Sequence, residues 1–154
     1  MNTIGGSPLQ RARELFARSG VPWERVAFAA VTGSRAYGLS AGGGDTDITA
    51  VWTESYRDLV TRAAGKGALM LRTQPDGVRS GPGDIDMQVY TVRHFVRLAA
   101  GGNPSILAAL FSPTDGLLAD HGFPRGEVIA LTRSRRAGSA FLGYLDSQLR
   151  RWED

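Results

Sequence analysis

A glycine–serine pair interrupts the most apolar part of this 154-residue chain, and it limits how the flanking segments can fold. Residues 25–32 are largely apolar, with Val26, Phe28 and Val31 among them, which predicts a buried strand. Gly33-Ser34 ends that run. The spacing then predicts a short helix over 35–39, a tight loop over 41–44 and a second strand over 45–52. This order of strand, Gly-Ser break, helix, loop and strand defines the centre of the expected fold.

Hydrophobic periodicity assigns most of the remaining chain. It predicts strands over 68–73 and 84–91, and helices over 7–20, 55–64, 92–100, from 103 onward, and over 134–152. The Pro- and Gly-rich stretch 74–83 is predicted to be a mobile turn or flap. The sequence therefore indicates an α/β or α+β domain with a mixed sheet flanked by helices. We divide it into a core over 1–112 and a short helical C-terminal extension of the same domain over 113–154.

The last predicted helix has one apolar face, formed by Phe141, Tyr144, Leu145 and Leu149, which is expected to point inward. The arginines near this helix outnumber its acidic residues, so the surface could meet an acidic partner such as RNA. A solvated helix face explains the same pattern. No apolar run is long enough for a membrane span, and the N-terminus lacks the features of a signal peptide, so a cytoplasmic location is expected.

Composition restricts the metal chemistry that is open to this chain. It has no cysteine and two histidines, which excludes zinc–thiolate sites and makes a histidine cluster improbable. Any metal must be held mainly by carboxylates, the ligands of hard cations such as Mg²⁺ or Mn²⁺.

Three acidic residues are candidates for such a site. Asp45 and Asp47 are two apart on a predicted strand, so their side chains leave the same face with Cα atoms about 6.6 Å apart. Asp86 can join them if its strand lies beside theirs, and Asp84 is the competing choice. At an effective dielectric of 20, two such carboxylates repel by roughly 2–3 kcal/mol, which a cation would relieve.

Gly33 and Ser34 are candidates for phosphate binding. Glycine lets the backbone approach a phosphate closely, and the N–H groups at a helix start attract its oxygens. Arg35 could add positive charge or point to solvent. An ordinary helix cap is the alternative interpretation of the Gly-Ser pair. Tyr37 could stack on a base, although a core position is the more common role for such a residue.

The combined spacing resembles a known signature. Gly33-Ser34, ten residues and then Asp45-x-Asp47 is similar to the G-S-x10-D-x-D pattern of minimal nucleotidyltransferases in the DNA polymerase β superfamily. Residues 33–39 resemble the G-S-R-A-Y-G-L motif of a phage and bacterial predicted nucleotidyltransferase family. Later family segments are matched by Asp86, Arg93-His94-Phe95 and Gly102-Asn103-Pro104. The family's basic residue after arginine is His94 here, so a lysine–phosphate contact does not carry over.

The resemblance implies a polymerase-β-like fold and a metal-dependent enzyme that transfers a nucleoside monophosphate from an NTP to an acceptor hydroxyl, releasing pyrophosphate. It implies two Mg²⁺ (or Mn²⁺) ions, held by Asp45, Asp47 and Asp86 as the catalytic residues. The implied nucleotide-binding residues are Gly33, Ser34, Arg35, Arg93 and Asn103. A surface charge is the alternative for Arg93, and a helix cap is the alternative for Asn103.

Two other functions are compatible with the same residues. The chain could be a non-catalytic or antitoxin-like protein of this fold that binds a toxin-type partner or RNA. It could also be a plain nucleic-acid-binding domain that uses its C-terminal arginines. Even for an enzyme, the sequence leaves the acceptor open among an RNA 3′ end, a protein hydroxyl and a small molecule.

Overall fold

A five-stranded mixed sheet forms the centre of the computed structural model, which describes residues 7–39, 44–61 and 67–153. Its strands are β1 (Val26–Thr32), β2 (Thr46–Trp52), β3 (Ala68–Arg72), β4 (Ile85–Thr91) and β5 (Leu117–Asp120). They lie in the order β3-β4-β2-β1-β5. β2 and β4 are parallel, and the other neighbours are antiparallel. The predicted α+β class with a mixed sheet is confirmed.

Helices flank this sheet and follow it. They are α1 (Pro8–Ala17), α2 (Gly33–Ala36), α3 (Tyr56–Thr61), α4 (Val92–Ala100), α5 (Pro104–Leu110), α6 (Arg125–Thr132) and α7 (Arg135–Glu153). The short helix after β1 begins at Gly33, two residues before its predicted start. Predicted residues 41–43 of the loop and 62–64 of the third helix lie outside the described residues. No helix in the described part of the chain has the length and apolarity that crossing a membrane requires.

Two apolar cores cover the two faces of the sheet. One face packs under α1, where Phe16 is buried against residues such as Ile48 and Met87. The other packs under α4, α5 and α6, with Phe28 and Phe95 at its centre. Burial of each such side chain contributes roughly 1.5–3 kcal/mol.

The strand register aligns polar residues at one end of that second face. Thr32 of β1 pairs with Asp47 of β2, Asp47 pairs with Asp86 of β4, and Asp86 pairs with Arg72 of β3. Paired residues on adjacent strands point to the same face, about 4.8 Å apart from strand to strand. The row therefore places two acids and one arginine side by side.

The C-terminal part departs from the expectation in two ways. Residues 113–154 include helices, as predicted, but they also supply β5, which pairs with β1 at an edge of the sheet. The apolar face of α7 does not point into a core: Phe141, Tyr144 and Leu145 are 41–43% exposed and Leu149 is 65% exposed. The inward placement was wrong, because helical periodicity identifies an amphipathic face without identifying what lies against it.

Candidate active site

Three carboxylates converge at the open end of the sheet. One oxygen from each of Asp45, Asp47 and Asp86 lies within 4.8 Å of the others, and all three side chains are partly buried. Asp47 and Asp86 are register partners in the parallel β2–β4 pair, and Asp45 immediately precedes β2. The strand placement on which the predicted cluster depended is therefore present.

The charges in this cluster oppose one another. Burial raises the pKa of the Asp47 carboxyl above its usual range, and the negative charges of Asp45 and Asp86 raise it further. The cluster consists entirely of carboxylate oxygens, the donor type that Mg²⁺ and Mn²⁺ prefer. A divalent cation among the three would offset their repulsion, so the residues present fit such an ion.

Asp84, the competing third acid, has a different role. It accepts hydrogen bonds from the Gly81 amide (2.8 Å), the Gln74 side chain (2.7 Å) and the Thr73 hydroxyl (3.0 Å). The amide and side-chain bonds lower the pKa of the Asp84 carboxyl. This carboxylate fastens the base of the β3–β4 loop, residues 73–84, and lies outside the converging triad.

Two residues that no sequence motif marks hold Asp86 in place. Arg72 Nε donates to Asp86 Oδ1 at 3.1 Å, and the Ser80 hydroxyl lies 2.9 and 3.0 Å from the two carboxylate oxygens. Arg72 Nη2 also donates to the Val78 carbonyl and to the Ser80 hydroxyl. The β3–β4 loop is thereby tied to the third carboxylate. The sequence shows Arg72 only as a charged residue on a predicted strand, two positions after Met70 and therefore on the same face.

The Gly-Ser turn lies directly against the acids. Gly33 has φ of 66°, and a Cβ at this position would overlap the Asp47 carboxylate. Glycine is thus required here by the close approach of Asp47 as well as by its backbone conformation. Ser34 follows at the exposed start of α2. The Arg35 guanidinium donates to the Gly44 and Asp45 carbonyls, both at 3.0 Å, and so anchors the chain that enters β2.

The two remaining nucleotide-binding candidates stand at the starts of two other helices. Arg93 is exposed at the start of α4, which follows the far end of β4. Thr91, the last residue of β4, lies about 17 Å from Asp86 along the strand. Asn103 caps α5: its Oδ1 accepts from the Ser105 and Ile106 amides at 3.1 and 3.2 Å. The structure therefore brings Gly33 against the acids, with Ser34 next to it in the chain, and leaves Arg93 remote. Asn103 immediately precedes Pro104 and Ser105, which line the cleft above the acids.

A cleft of about 620 Å³ opens over Asp47 and Asp86, and we call it the apolar cleft. Its floor includes Asp47 and Asp86, with Thr49 and Gln88 in the next row of the sheet. Its walls are Gly33, Tyr37, Met70, residues from the start and middle of α5, and Phe141, Tyr144 and Leu145 of α7. Tyr37 is 62% exposed, so it belongs to this wall and not to the core. Acid thus lies at the base of the cleft and aromatic surface on its sides.

A second cleft of about 480 Å³ shares Asp86 with the first, and we call it the basic cleft. It is lined by Gly44, Asp45, Arg72, Arg79, Ser80, Gly81, Pro82 and Asp86. The triad is therefore accessible from two clefts of different chemistry.

Comparison with known proteins supports the resemblance seen in the sequence. The model of a family described as the RNA repair pathway DNA polymerase beta family (RlaP) matches residues 9–154. No curated protein matches the chain. The family match spans the strands that carry the acids, the Gly-Ser turn and the C-terminal helices.

Proposed function

The chain belongs to the RNA repair pathway DNA polymerase beta family, and on this premise we propose that it is a metal-dependent nucleotidyltransferase acting on RNA ends. It would transfer a nucleoside monophosphate from an NTP to a terminal hydroxyl of the RNA and release pyrophosphate. The observation that carries this proposal is the convergence of Asp45, Asp47 and Asp86 within 4.8 Å, beside the Gly-Ser turn.

Asp45 and Asp47 would hold both of two Mg²⁺ or Mn²⁺ ions, and Asp86 would complete the acceptor-side position. Bound there, the ions supply Lewis-acid activation of the acceptor hydroxyl and neutralise the triphosphate. Arg72 and Ser80 orient the Asp86 carboxylate, because Arg72 Nε donates to its Oδ1 and the single proton of the Ser80 hydroxyl is shared between its two oxygens. Arg35 holds the chain before β2 and so fixes where Asp45 stands.

The apolar cleft suits the nucleoside part of the NTP. A nucleotide has an anionic end that needs cations and a planar end that favours aromatic surface. The cleft offers carboxylates for cations on its floor and Tyr37, Phe141 and Tyr144 on its walls. Gly33, which lines the same cleft, and Ser34, the residue after it, are the proposed contacts for the β- and γ-phosphates. Stacking on aromatic rings contributes about 1–3 kcal/mol per base with little base preference.

RNA is the proposed acceptor because the matching family is described by an RNA repair pathway. A non-catalytic antitoxin-like role has no comparable support. The triad is intact and accessible, whereas a purely structural protein would gain nothing from three carboxylates that repel one another.

The test is incubation of the purified chain with each α-labelled NTP, Mg²⁺ and a single-stranded RNA with a free 3′-hydroxyl. We expect label to be incorporated into the RNA, and the activity to be lost on addition of EDTA and in Asp47→Asn. Asp120→Asn is the matched control, because Asp120 is an exposed acid of β5 that lines neither cleft. Full activity of Asp47→Asn would refute the proposed mechanism.

A further inference from the structure

The basic cleft contains a cation that the mechanism above does not use. Arg72 is committed to Asp86, the Val78 carbonyl and Ser80. Arg79 also lines the cleft, but it is exposed and has no ion pair or hydrogen bond to any residue in the described part of the chain. An unpaired guanidinium thus borders the same space as Asp45 and Asp86.

The backbone on both sides of Arg79 is held in place. The Val78 carbonyl and the Ser80 hydroxyl both accept from Arg72 Nη2, at 3.0 and 2.8 Å. The Val78 amide donates to the Pro75 carbonyl, and the Gly81 amide donates to Asp84. Although the Pro and Gly content of residues 74–83 predicted a mobile turn, these hydrogen bonds hold the loop from which Arg79 projects. A preorganised loop reduces the entropy lost when the side chain binds a ligand.

The charge of this cleft fits an anion that reaches Asp86. The two carboxylates of this cleft, Asp45 and Asp86, are proposed cation ligands, so bound metal ions would neutralise their negative charge. The positive charge of Arg79 would then have no counter-charge in the cleft. A planar guanidinium binds two phosphate oxygens at once, which makes arginine well suited to phosphodiesters. The apolar cleft, by contrast, has no basic side chain on its walls among the described residues.

We infer that the basic cleft binds a phosphodiester of the acceptor strand next to its terminal nucleotide, with Arg79 as the contacting residue. Arg72 and Ser80 are positioning residues that fix the loop. The inference rests on the proposed function and deepens it: the enzyme would recognise a polynucleotide end through its backbone phosphate, and an isolated nucleoside hydroxyl would not make this contact.

Binding tests the cleft without catalysis. A 5′-fluorescein single-stranded RNA is titrated with the wild-type chain, Arg79→Ala and Arg18→Ala, without NTP, at several salt concentrations. Arg18 is the matched control, because it is exposed after α1 and lines neither cleft. We expect Arg79→Ala to weaken binding about tenfold, as for loss of one charge-assisted hydrogen bond. The slope of log affinity against log salt should fall by about 0.7, the value for one phosphate contact on a single strand.

Kinetics tests the acceptor assignment. Arg79→Ala should raise KM about tenfold for an oligonucleotide acceptor, and leave KM unchanged for the NTP and for a nucleoside acceptor that has no phosphate. Equal RNA affinity and salt slope in Arg79→Ala and the wild type would overturn the inference, as would an equal loss with the nucleoside acceptor. If the wild type transferred no nucleotide to any acceptor, the proposed function would fail, whereas Arg79-dependent, salt-sensitive binding would still support the cleft as a polynucleotide site.

Discussion

Replacing Asp47 with asparagine should make the metal-free protein more stable while it removes the proposed metal site. One carboxylate oxygen of Asp47 lies within 4.8 Å of an oxygen from each of the two other carboxylates. At that distance two unit charges repel by about 0.9 kcal/mol in water and by about 3.5 kcal/mol at an effective dielectric of 20. Because the cluster is partly exposed and Arg72 offsets Asp86, the lower part of this range applies.

We therefore expect Asp47→Asn to raise the free energy of unfolding by about 1–2 kcal/mol in EDTA at pH 7. For a chain of this size each kcal/mol moves Tm by about 2–4 °C, so Tm should rise by about 2–8 °C. Differential scanning calorimetry or fluorimetry measures the shift. Asp120→Asn removes an acid from the exposed end of β5 and should leave Tm nearly unchanged.

The stability difference between Asp47→Asn and the wild type should also depend on pH and on Mg²⁺. The pKa of Asp47 is raised in the folded protein, so its penalty is present above that pKa and disappears as pH falls through it. The stability gap between variant and wild type should therefore close on acidification. With Mg²⁺ at 100 times its Kd, the wild type should gain about 2.7 kcal/mol while the variant gains much less. A lower Tm for Asp47→Asn in EDTA would refute the electrostatic reasoning.

Three other substitutions test the parts around the triad. Gly33→Ala should abolish transfer and lower the free energy of unfolding by at least about 1–2 kcal/mol, because residue 33 has a left-handed backbone and the added Cβ would collide with Asp47. An active variant with an unchanged Tm would contradict this. Asn103→Ala removes the cap of α5 and should cost about 0.5–2 kcal/mol of stability, measured by urea unfolding, while KM for the NTP stays unchanged. A raised KM with no loss of stability would instead favour contact between Asn103 and the nucleotide. Asp84→Asn should lower the unfolding free energy at pH 7. Because the folded pKa of Asp84 lies below its ordinary value of 3.8, the difference from the wild type should begin to shrink near that value and be lost as pH falls through the lower, folded pKa. A pH-independent difference would show that its charge is not involved.

Local signals in the sequence were sufficient for the centre of the fold and for the acids. Apolar runs and the Gly-Ser break predicted β1 and β2, and the two-residue spacing of Asp45 and Asp47 predicted a shared face. Asp86 could be proposed but not chosen over Asp84, because the choice depends on the β2–β4 register, a long-range property.

Other features depended on contacts that no local pattern encodes. β5 has only four residues and is stabilised by pairing with β1, so its sequence shows no clear alternation. Arg72 becomes adjacent to Asp86 only when β3 pairs with β4. The apolar face of α7 was predicted correctly as a face, but whether it lies in a core or lines a cleft depends on the distance to the sheet.

In the proposed mechanism, Asp45, Asp47 and Asp86 hold divalent ions for nucleotide transfer to RNA. The most direct measurement is single-nucleotide extension of a 5′-labelled RNA, resolved on a denaturing gel, as Mg²⁺ is titrated against the wild type and the three Asp→Asn variants. We expect Mg²⁺-dependent extension by the wild type and none by any of the variants. Extension by the wild type in excess EDTA, or by the variants at the wild-type rate, would contradict it.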